Sequence, residues 1–190
     1  MGYTHYWKTA ELEVDAALAE EARAIVAASD VEVAGWDGTG APEIREGLIS
    51  LNGKGRAGCE SFTLCGDDGT GFECCKTSSQ PYDEVVGAIL LAASERNPKI
   101  NVSSDGRWSE KEWIKARALF EKALGRKPEP PERMVDEYRV YRREDGTTIG
   151  VWLMCSGEVK MRARLDDYRV FESADAFEEW ASAGGWHRFG

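Results

Sequence analysis

The chain begins with a cluster of aromatic residues, in a position where most chains carry a dispensable tail. Tyr3, Tyr6 and Trp7 accompany His5 within the first seven residues. Because terminal segments are disordered unless a strand or a docked helix ties them down, rings this bulky indicate a buried segment or the wall of a site. Alternation along a strand puts Tyr3, His5 and Trp7 on one face, and Thr4 and Tyr6 on the other. One face then presents an imidazole between two rings, which suits either the stacking of a base or packing in a core.

Three segments in the first two thirds of the chain have the spacing of amphipathic helices. Apolar residues recur every three or four positions in residues 15–28, after Pro81 and after Ser109. Pro81 fits the first turn of a helix, because the N–H group that proline lacks has no partner there. Ser109 and Glu112 form a capping box, and Gly125 is a natural helix stop. These segments predict three helices.

Alternating segments between the helices predict antiparallel strands. They are short, are bounded by turn residues, and lie at residues 31–34, 49–51, 60–65, 72–76 and 100–102. The turn Gly66-Asp67-Asp68-Gly69-Thr70-Gly71 predicts that the strands on either side of it, 60–65 and 72–76, form a hairpin. The glycine-rich segment 53–58 separates the two strands before that turn. We therefore predict an α+β fold in which about three helices pack on a mainly antiparallel sheet.

A proline cluster divides the chain. Its sequence, Lys-Pro-Glu-Pro-Pro-Glu over residues 127–132, favours an extended, semi-rigid segment. We predict a main α+β domain over residues 1–127, a linker over 128–132 and a small C-terminal unit over 133–190. This unit has a βββα order, with a closing helix from Ser173 and strands at 138–142, 148–154 and 159–165.

The charge and composition of the chain argue against several classes of function. The 190 residues carry a formal net charge of −10, with 42% hydrophobic and 31% charged residues, as in ordinary soluble domains. Nonspecific nucleic-acid binding depends on Lys and Arg releasing counterions from phosphates, so we expect no direct nucleic-acid binding. No apolar run is long enough to cross a bilayer, so we expect no membrane association. The five cysteines and the lack of a recognisable secretory signal predict a cytoplasmic protein with reduced thiols.

Three further segments place polar groups at the ends of strands. A glycine-rich loop carries Trp36 and Asp37, but it lacks the Lys-Ser/Thr ending of a phosphate loop. Lys76 precedes a helix start, which attracts anions through its free N–H groups. Ser103-Ser104-Asp105-Gly106 closes a short strand with two hydroxyls and a carboxylate, which could bind sugar hydroxyls or a metal. Each segment also has a plain structural interpretation as a turn or a helix cap. The candidate ligand-binding residues are Tyr3, His5, Trp7, Trp36, Asp37, Asn52, Lys76, Thr77, Tyr82, Asp83, Ser104 and Asp105.

A complete catalytic set is hard to assemble from this sequence. The nucleophile-elbow pattern Gly-x-Ser-x-Gly is absent. The cysteines lack the C-x-x-C spacing of a zinc site, and neighbouring Cys74 and Cys75 would point to opposite faces of a strand, so we predict neither a metal nor a cofactor. If the protein performs acid–base chemistry, the candidate residues are His5 with Asp37, Asp83 or Asp105.

Several short motifs follow one another in a distinctive order along residues 1–106. They are Met1-Gly2-Tyr3-Thr4-His5-Tyr6-Trp7, Gly35-Trp36-Asp37-Gly38, Leu51-Asn52-Gly53, Glu60-Ser61-Phe62, Cys75-Lys76-Thr77, Pro81-Tyr82-Asp83 and Ser103-Ser104-Asp105-Gly106. In these motifs the chain resembles a family of small uncharacterised proteins of bacteriophages and prophages. The family has no settled activity, so the resemblance implies a phage origin, residence in the host-cell cytoplasm, and a role as a modulator of host machinery or host defence. Residues 133–190 lie outside the resemblance.

These observations lead to one expected function and two alternatives. We expect a noncatalytic protein that binds and sequesters a small polar, nucleotide-like ligand. Its aromatic rings would stack a base, Lys76 and the helix start would hold an anionic group, and carboxylates would accept sugar hydroxyls. The first alternative is an inhibitor that masks a host protein with its acidic surface. The second is a small phosphodiesterase or related hydrolase that uses His5 and the aspartates.

Overall fold

A computed structural model describes residues 2–8, 12–66, 71–97, 100–131, 133–164 and 167–189, which form four α-helices and twelve β-strands. All strand pairs are antiparallel, which confirms the predicted α+β class. The chain divides into two compact units. The first consists of Met1–Gly106 and Glu110–Pro131, and the second of Arg107–Ser109 and Glu132–Gly190. The division at Pro131 falls inside the proline-rich segment, whose last residue, Glu132, lies outside the described residues.

The first unit contains three helices and seven strands within the described residues. In chain order they are β1 (Thr4–Trp7), α1 (Ala16–Ala28), β2 (Val33–Ala34), β3 (Glu43–Arg45), β4 (Leu48–Gly53), β5 (Phe62–Cys65), β6 (Glu73–Lys76), α2 (Asp83–Arg96), β7 (Ser103–Ser104) and α3 (Lys111–Leu124). A short 3₁₀-helix, Gly55–Ala57, lies between β4 and β5. None of the described helices combines the length and the apolarity that crossing a bilayer requires.

The aromatic amino-terminal segment is the central strand of a three-stranded sheet. Strand β1 pairs with β6 on one side and with β7 on the other, so that His5 lies between Cys75 and Ser104. The predicted alternation is confirmed: Tyr3, His5 and Trp7 are buried, whereas Thr4 and Tyr6 are partly exposed. Strand β1 is held in place because both of its edges are hydrogen-bonded.

A second sheet is built around β4. Strands β2, β3 and β5 each pair with β4. Strands β3 and β5 pair with the same residues of β4, 48–50, and therefore lie on its opposite edges. The predicted hairpin between residues 60–65 and 72–76 is wrong, because β5 pairs with β4 while β6 pairs with β1. Pairing β5 with β4 aligns Leu64 with Ile49, and Phe62 with Leu51, and all four side chains are fully buried. Burial of these four side chains therefore outweighs the preference of residues 66–71 for a hairpin turn. Residues 67–70 of that turn lie outside the described residues.

The three helices pack on one another. Some of the caps and stops predicted from the sequence are present at their ends, and others are not. Asp15 caps α1 by accepting a hydrogen bond from the Leu18 N–H at 2.6 Å. Gly125 ends α3 in the left-handed conformation, as predicted. The predicted capping box at Ser109 is wrong: Glu110 is the cap residue of α3, and the Ser109 hydroxyl donates instead to the Asp136 carbonyl, 3.4 Å away. Pro81 lies in the turn before α2 rather than in its first turn.

The second unit is one antiparallel sheet with a helix on one face. Its elements are β8 (Val135–Arg142), β9 (Thr148–Met154), β10 (Val159–Arg164), β11 (Asp167–Phe171), α4 (Ala174–Ala183) and β12 (His187–Arg188). The sheet order is β11-β10-β9-β8-β12. The three predicted strands are present, although Leu165, the predicted end of the third, lies outside the described residues. Ser173 caps α4 as predicted, and Phe177 packs edge-on against Tyr141 and Phe171 in the core.

Strand β11 was not predicted from the sequence. Its apolar residues Tyr168 and Val170 are 55% and 50% exposed, on the face of the sheet opposite to α4. A strand whose apolar residues face solvent has a weak alternation signal, because the usual pattern places the apolar residues on the core side. The additional strand gives the second unit a wider sheet than the βββα order implied.

The close approach of α2 and α3 at Gly87 gives a stability prediction. A Cβ atom at Gly87 would lie 2.7 Å from the Ala116 Cβ atom. Gly87→Ala gains about 1 kcal/mol of helix propensity but loses about 1–3 kcal/mol to overpacking, so we expect net destabilisation in urea unfolding. In the double variant with Ala116→Gly the overlap disappears, and the two effects should be non-additive by about 1 kcal/mol. Additive effects would mean that the helices separate freely at this point.

Candidate functional site

The predicted histidine and one of the predicted aspartates form a buried pair. His5 is 1% exposed, and its Nε2 atom lies 3.0 Å from the Asp83 Oδ1 atom. The Thr77 hydroxyl donates to the same Asp83 oxygen and lies 3.3 Å from the Tyr3 carbonyl oxygen. Asp83 is the first residue of α2, where the helix dipole favours a carboxylate. The pair therefore links β1 to the start of α2.

A second set of hydrogen bonds continues from Tyr3 to β7 and α3. The Tyr3 hydroxyl lies 3.0 Å from the Ser104 Oγ atom, which also accepts a hydrogen bond from the Trp113 indole at 2.8 Å. Burial raises the pKa of Tyr3 well above its ordinary value, so that the phenol stays neutral. Gly106 permits this contact, because a Cβ atom there would lie 2.6 Å from the Tyr3 hydroxyl oxygen. We call this set of residues the His5 network: Tyr3, His5, Thr77, Asp83, Ser104 and Trp113.

The rings around His5 close the predicted stacking platform. The Tyr3 and Trp113 rings meet the imidazole edge-on, with centroid separations of 5.2 Å and 5.1 Å. Trp7, the third predicted ring, is 1% exposed and packs against Phe62. Among the described residues, His5 Nδ1 has no hydrogen-bond partner. The arrangement positions β1 and α2 and leaves no ring face of His5 or Trp7 open to solvent.

The remaining candidates on the first sheet and the helix start also have structural partners. Asp105 accepts hydrogen bonds from the Tyr6 hydroxyl at 2.8 Å and from the Thr4 N–H at 2.9 Å. The Tyr82 hydroxyl donates to the Glu60 carbonyl at 2.6 Å, and Tyr82 is fully buried. Lys76 is exposed on β6, at the register position opposite Thr4. Of this group, Lys76 and Asp105 are exposed, and the Asp105 carboxylate already accepts two hydrogen bonds.

The candidates on the glycine-rich loop lie beside β4, and their hydrogen bonds described next are not to any member of the His5 network. The Asp37 carboxylate accepts hydrogen bonds from the Thr39 N–H and hydroxyl at 3.0 Å and 2.8 Å, and these bonds lower its pKa. The Asn52 amide donates to the Trp36 and Cys59 carbonyls at 3.2 Å and 3.3 Å. Trp36 is 67% exposed. Asp37 and Asn52 therefore stabilise their own loops, and Trp36 is the one ring of the predicted set that solvent reaches freely.

The cleft at the start of α2 is too small for the predicted ligand. Its volume is about 30 Å³, and its walls include Lys111 and Lys115 together with the carboxylates of Asp83, Glu84 and Glu112. A volume of this size holds one or two water molecules, whereas ligand pockets usually measure about 300–1,000 Å³. The described residues also contain no group of three or more His, Cys, Asp or Glu side chains that could hold a metal ion.

A larger candidate site lies on the second unit, on the sheet face opposite to α4. Antiparallel pairing puts Tyr138, Trp152, Lys160 and Val170 in one row across four strands, and puts Arg162 beside Tyr168 in the next row. Tyr138 is 44% exposed. We call these six residues the open sheet face.

Two recesses lie on the open sheet face. The ring recess has a volume of about 400 Å³ and is lined by Val135, Trp152, Met154, Lys160, Arg162 and Tyr168. The polar recess has a volume of about 520 Å³ and is lined by Arg133, Ser156, Glu158, Lys160 and Val170. Both volumes fall in the range of small-molecule sites. Lys160 belongs to both recesses.

Gly150 leaves room for the Trp152 ring, which lines the ring recess, and for the neighbouring Tyr138 ring. The Tyr138 and Trp152 ring centroids are 5.3 Å apart. A Cβ atom at Gly150 would lie 2.9 Å from the Tyr138 hydroxyl and 3.2 Å from the far edge of the Trp152 ring. The two rings therefore lie across the bare backbone of Gly150. Sequence reasoning missed this site, because apolar residues on both faces of β9 conceal which face the core uses.

Replacing His5 tests the structural role of the His5 network. His5→Ala leaves the buried Asp83 carboxylate with the Thr77 hydroxyl but without the imidazole, and removing one member of a buried pair costs about 3–5 kcal/mol. We expect this loss in the free energy of unfolding measured by denaturant titration. His187→Ala is the matched control, because His187 is exposed and its loss should change stability by less than about 0.5 kcal/mol. Equal stability of the two variants would contradict the structural role.

The adjacent cysteines of β6 give a reactivity prediction. Cys74 is exposed and Cys75 fully buried, which confirms that they point to opposite faces. Burial raises the pKa of Cys75 to about 12, so the reactive thiolate is scarce. With iodoacetamide at about pH 8, we expect labelling of exposed Cys59 and Cys74, and labelling of Cys75 only after denaturation. Tandem mass spectrometry assigns the sites, and rapid native labelling of Cys75 would contradict its burial.

Comparison of the chain with protein-family models, with curated proteins and with solved structures finds no match. The resemblance to the phage family therefore stays a prediction, and the function is inferred from the chemistry of the described residues.

Proposed function

We propose that the protein is a noncatalytic binding protein that takes up a small, ring-bearing anion of the nucleotide type on its open sheet face. The observation that carries the proposal is the ring recess, where Trp152 and Tyr168 lie beside Lys160 and Arg162. Stacking a base on an aromatic side chain contributes about 1–3 kcal/mol. Lys and Arg are the residues that bind phosphate in proteins. Rings and cations in one recess thus match the two parts of a nucleotide.

The charge of the chain favours a small ligand over a nucleic-acid strand. The formal net charge is −10, so a polyanion that extended over the surface would be repelled. A recess of about 400 Å³ accommodates one ring system with its sugar. The cations of the open sheet face are a local exception on an acidic protein, and a mononucleotide can stay within them.

The residues around the recesses favour binding over catalysis. Among the described residues that line them, Glu158 is the one carboxylate, and histidine and cysteine do not occur. The hydrolase alternative uses His5 and Asp83, but His5 is 1% exposed. A substrate would have to displace Tyr3 and Trp113 to reach the imidazole. Sequestration of a ligand therefore has more support than hydrolysis.

A phage origin would suggest a biological role for this binding activity. A protein that sequesters a nucleotide signal in the host cytoplasm would act as a modulator of host defence. The open sheet face lies within residues 133–190, which the phage resemblance does not cover. We propose that the second unit adds the ligand-binding function to a first unit whose polar residues are used for its own stability.

Removing one ring of the recess tests the proposal. Titration calorimetry with a panel of nucleoside mono-, di- and triphosphates and cyclic nucleotides should identify at least one ligand. Trp152→Ala should weaken its binding by about 5- to 150-fold, because one stacking contact is lost. Chromatography of the ligand after release should return it unchanged.

Trp36→Ala removes the most exposed tryptophan of the first unit and should leave binding unchanged. Failure of every nucleotide to bind, or tighter binding of an oligonucleotide than of any mononucleotide, would refute the proposal. A stoichiometric host protein captured by the ligand-free chain would favour the inhibitor alternative instead.

A further inference from the structure

The two recesses of the open sheet face differ in chemistry. The ring recess is lined by Trp152, Tyr168 and apolar side chains, together with two cations. The polar recess is lined by Arg133, Ser156, Glu158 and Lys160, with Val170 as its apolar residue. Since Lys160 contributes to both, a ligand that fills the ring recess can continue past this side chain. A ligand that uses both recesses needs a flat ring at one end and an anionic or hydroxylated group at the other.

Backbone hydrogen bonds fix the wall of the polar recess. The β9–β10 turn is closed by bonds from the Gly157 N–H to the Met154 carbonyl and from the Met154 N–H to the Glu158 carbonyl, both at 2.9 Å. The Cys155 N–H donates to the Met134 carbonyl at 2.9 Å, which ties the segment before β8 to this turn. Arg133 is therefore held beside Ser156, although the two residues are far apart in sequence. A guanidinium next to a hydroxyl is a suitable pair of donors for phosphate oxygens.

The charges around Lys160 indicate which group of the ligand lies there. Among the described residues that line the polar recess, two cations, Arg133 and Lys160, face one carboxylate, Glu158. The Glu158 Oε2 atom is 4.0 Å from the Lys160 Nζ atom, too far for a hydrogen bond. Phosphate oxygens can form the charge-assisted hydrogen bond to Lys160 that Glu158 does not form. Glu158 then competes with the phosphate for the same cation.

We infer that the ligand is a nucleoside phosphate, bound with its base in the ring recess and its phosphate group in the polar recess, between Arg133, Ser156 and Lys160. This inference rests on the proposed nucleotide binding and adds the orientation of the ligand and the requirement for a phosphate. Free bases and nucleosides occupy only the ring recess and bind more weakly. Glu158 limits the affinity, because its charge opposes that of the phosphate.

The test compares one nucleoside with its own mono- and diphosphate by titration calorimetry on the full chain. The nucleoside carries the base of the nucleotide that binds most tightly in the panel of nucleotides. In the native protein the phosphate should improve binding by about tenfold or more. Arg133→Ala should abolish this gain and leave the affinity for the nucleoside unchanged. Glu158→Gln should tighten binding of the phosphate and leave the nucleoside unaffected, an effect that damage to the fold would not produce.

The outcomes separate the two proposals. If the nucleoside binds as tightly as its phosphates, or if Glu158→Gln leaves binding of the phosphate unchanged, the orientation is wrong while binding on the open sheet face stands. If neither the nucleoside nor its phosphates bind, both proposals are wrong. Arg133 and Glu158 are exposed, so both variants should keep the thermal midpoint of the native protein, and circular dichroism checks this.

Discussion

The hydrogen bond between His5 and Asp83 is the constraint on which the first unit depends. Both side chains are removed from water, and a buried polar group is costly unless it is paired. Asp83 is the partner of both the His5 Nε2 atom and the Thr77 hydroxyl, and so fixes the start of α2 relative to β1 and β6. With β1 held between β6 and β7, the aromatic opening of the chain becomes part of the core.

Because His5 is buried, the second unit is the better candidate for ligand binding. A histidine enclosed by Tyr3 and Trp113 stabilises the fold but is not accessible to a ligand. The second unit is small and has one helix, α4, which covers one face of its sheet. Small domains have too little chain to cover both faces of a sheet. Tyr168 and Val170 on the other face stay about half exposed, and contiguous exposed apolar patches are typical of interaction sites.

The sequence predicts those features that depend on neighbours along the chain. The alternation of β1, the cap of α4 at Ser173 and the stop at Gly125 are local, and all three are present. The predicted hairpin is wrong because β5 and β6 pair with strands that are more distant in sequence. Strand β5 pairs with β4, where Phe62 lies opposite Leu51, and β6 pairs with β1. The candidate ligand-binding residues of the first unit show the same limit of local signals, since His5 is 1% exposed and Tyr82 is fully buried. Polar and aromatic residues near strand ends indicate importance, but the sequence does not distinguish a side chain that binds a ligand from one that holds the fold together.

Electrostatic screening explains how an acidic protein can bind an anion. At physiological ionic strength the Debye length is about 8 Å, so a bound phosphate responds mainly to charges in its immediate surroundings. Among the described residues that line the polar recess, these charges are Arg133, Lys160 and the opposing Glu158. A longer polyanion would extend beyond them onto a chain whose net charge is −10. In the proposed complex, the cations of the recess and the overall excess of acids would therefore select together for a ligand of about one nucleotide in length.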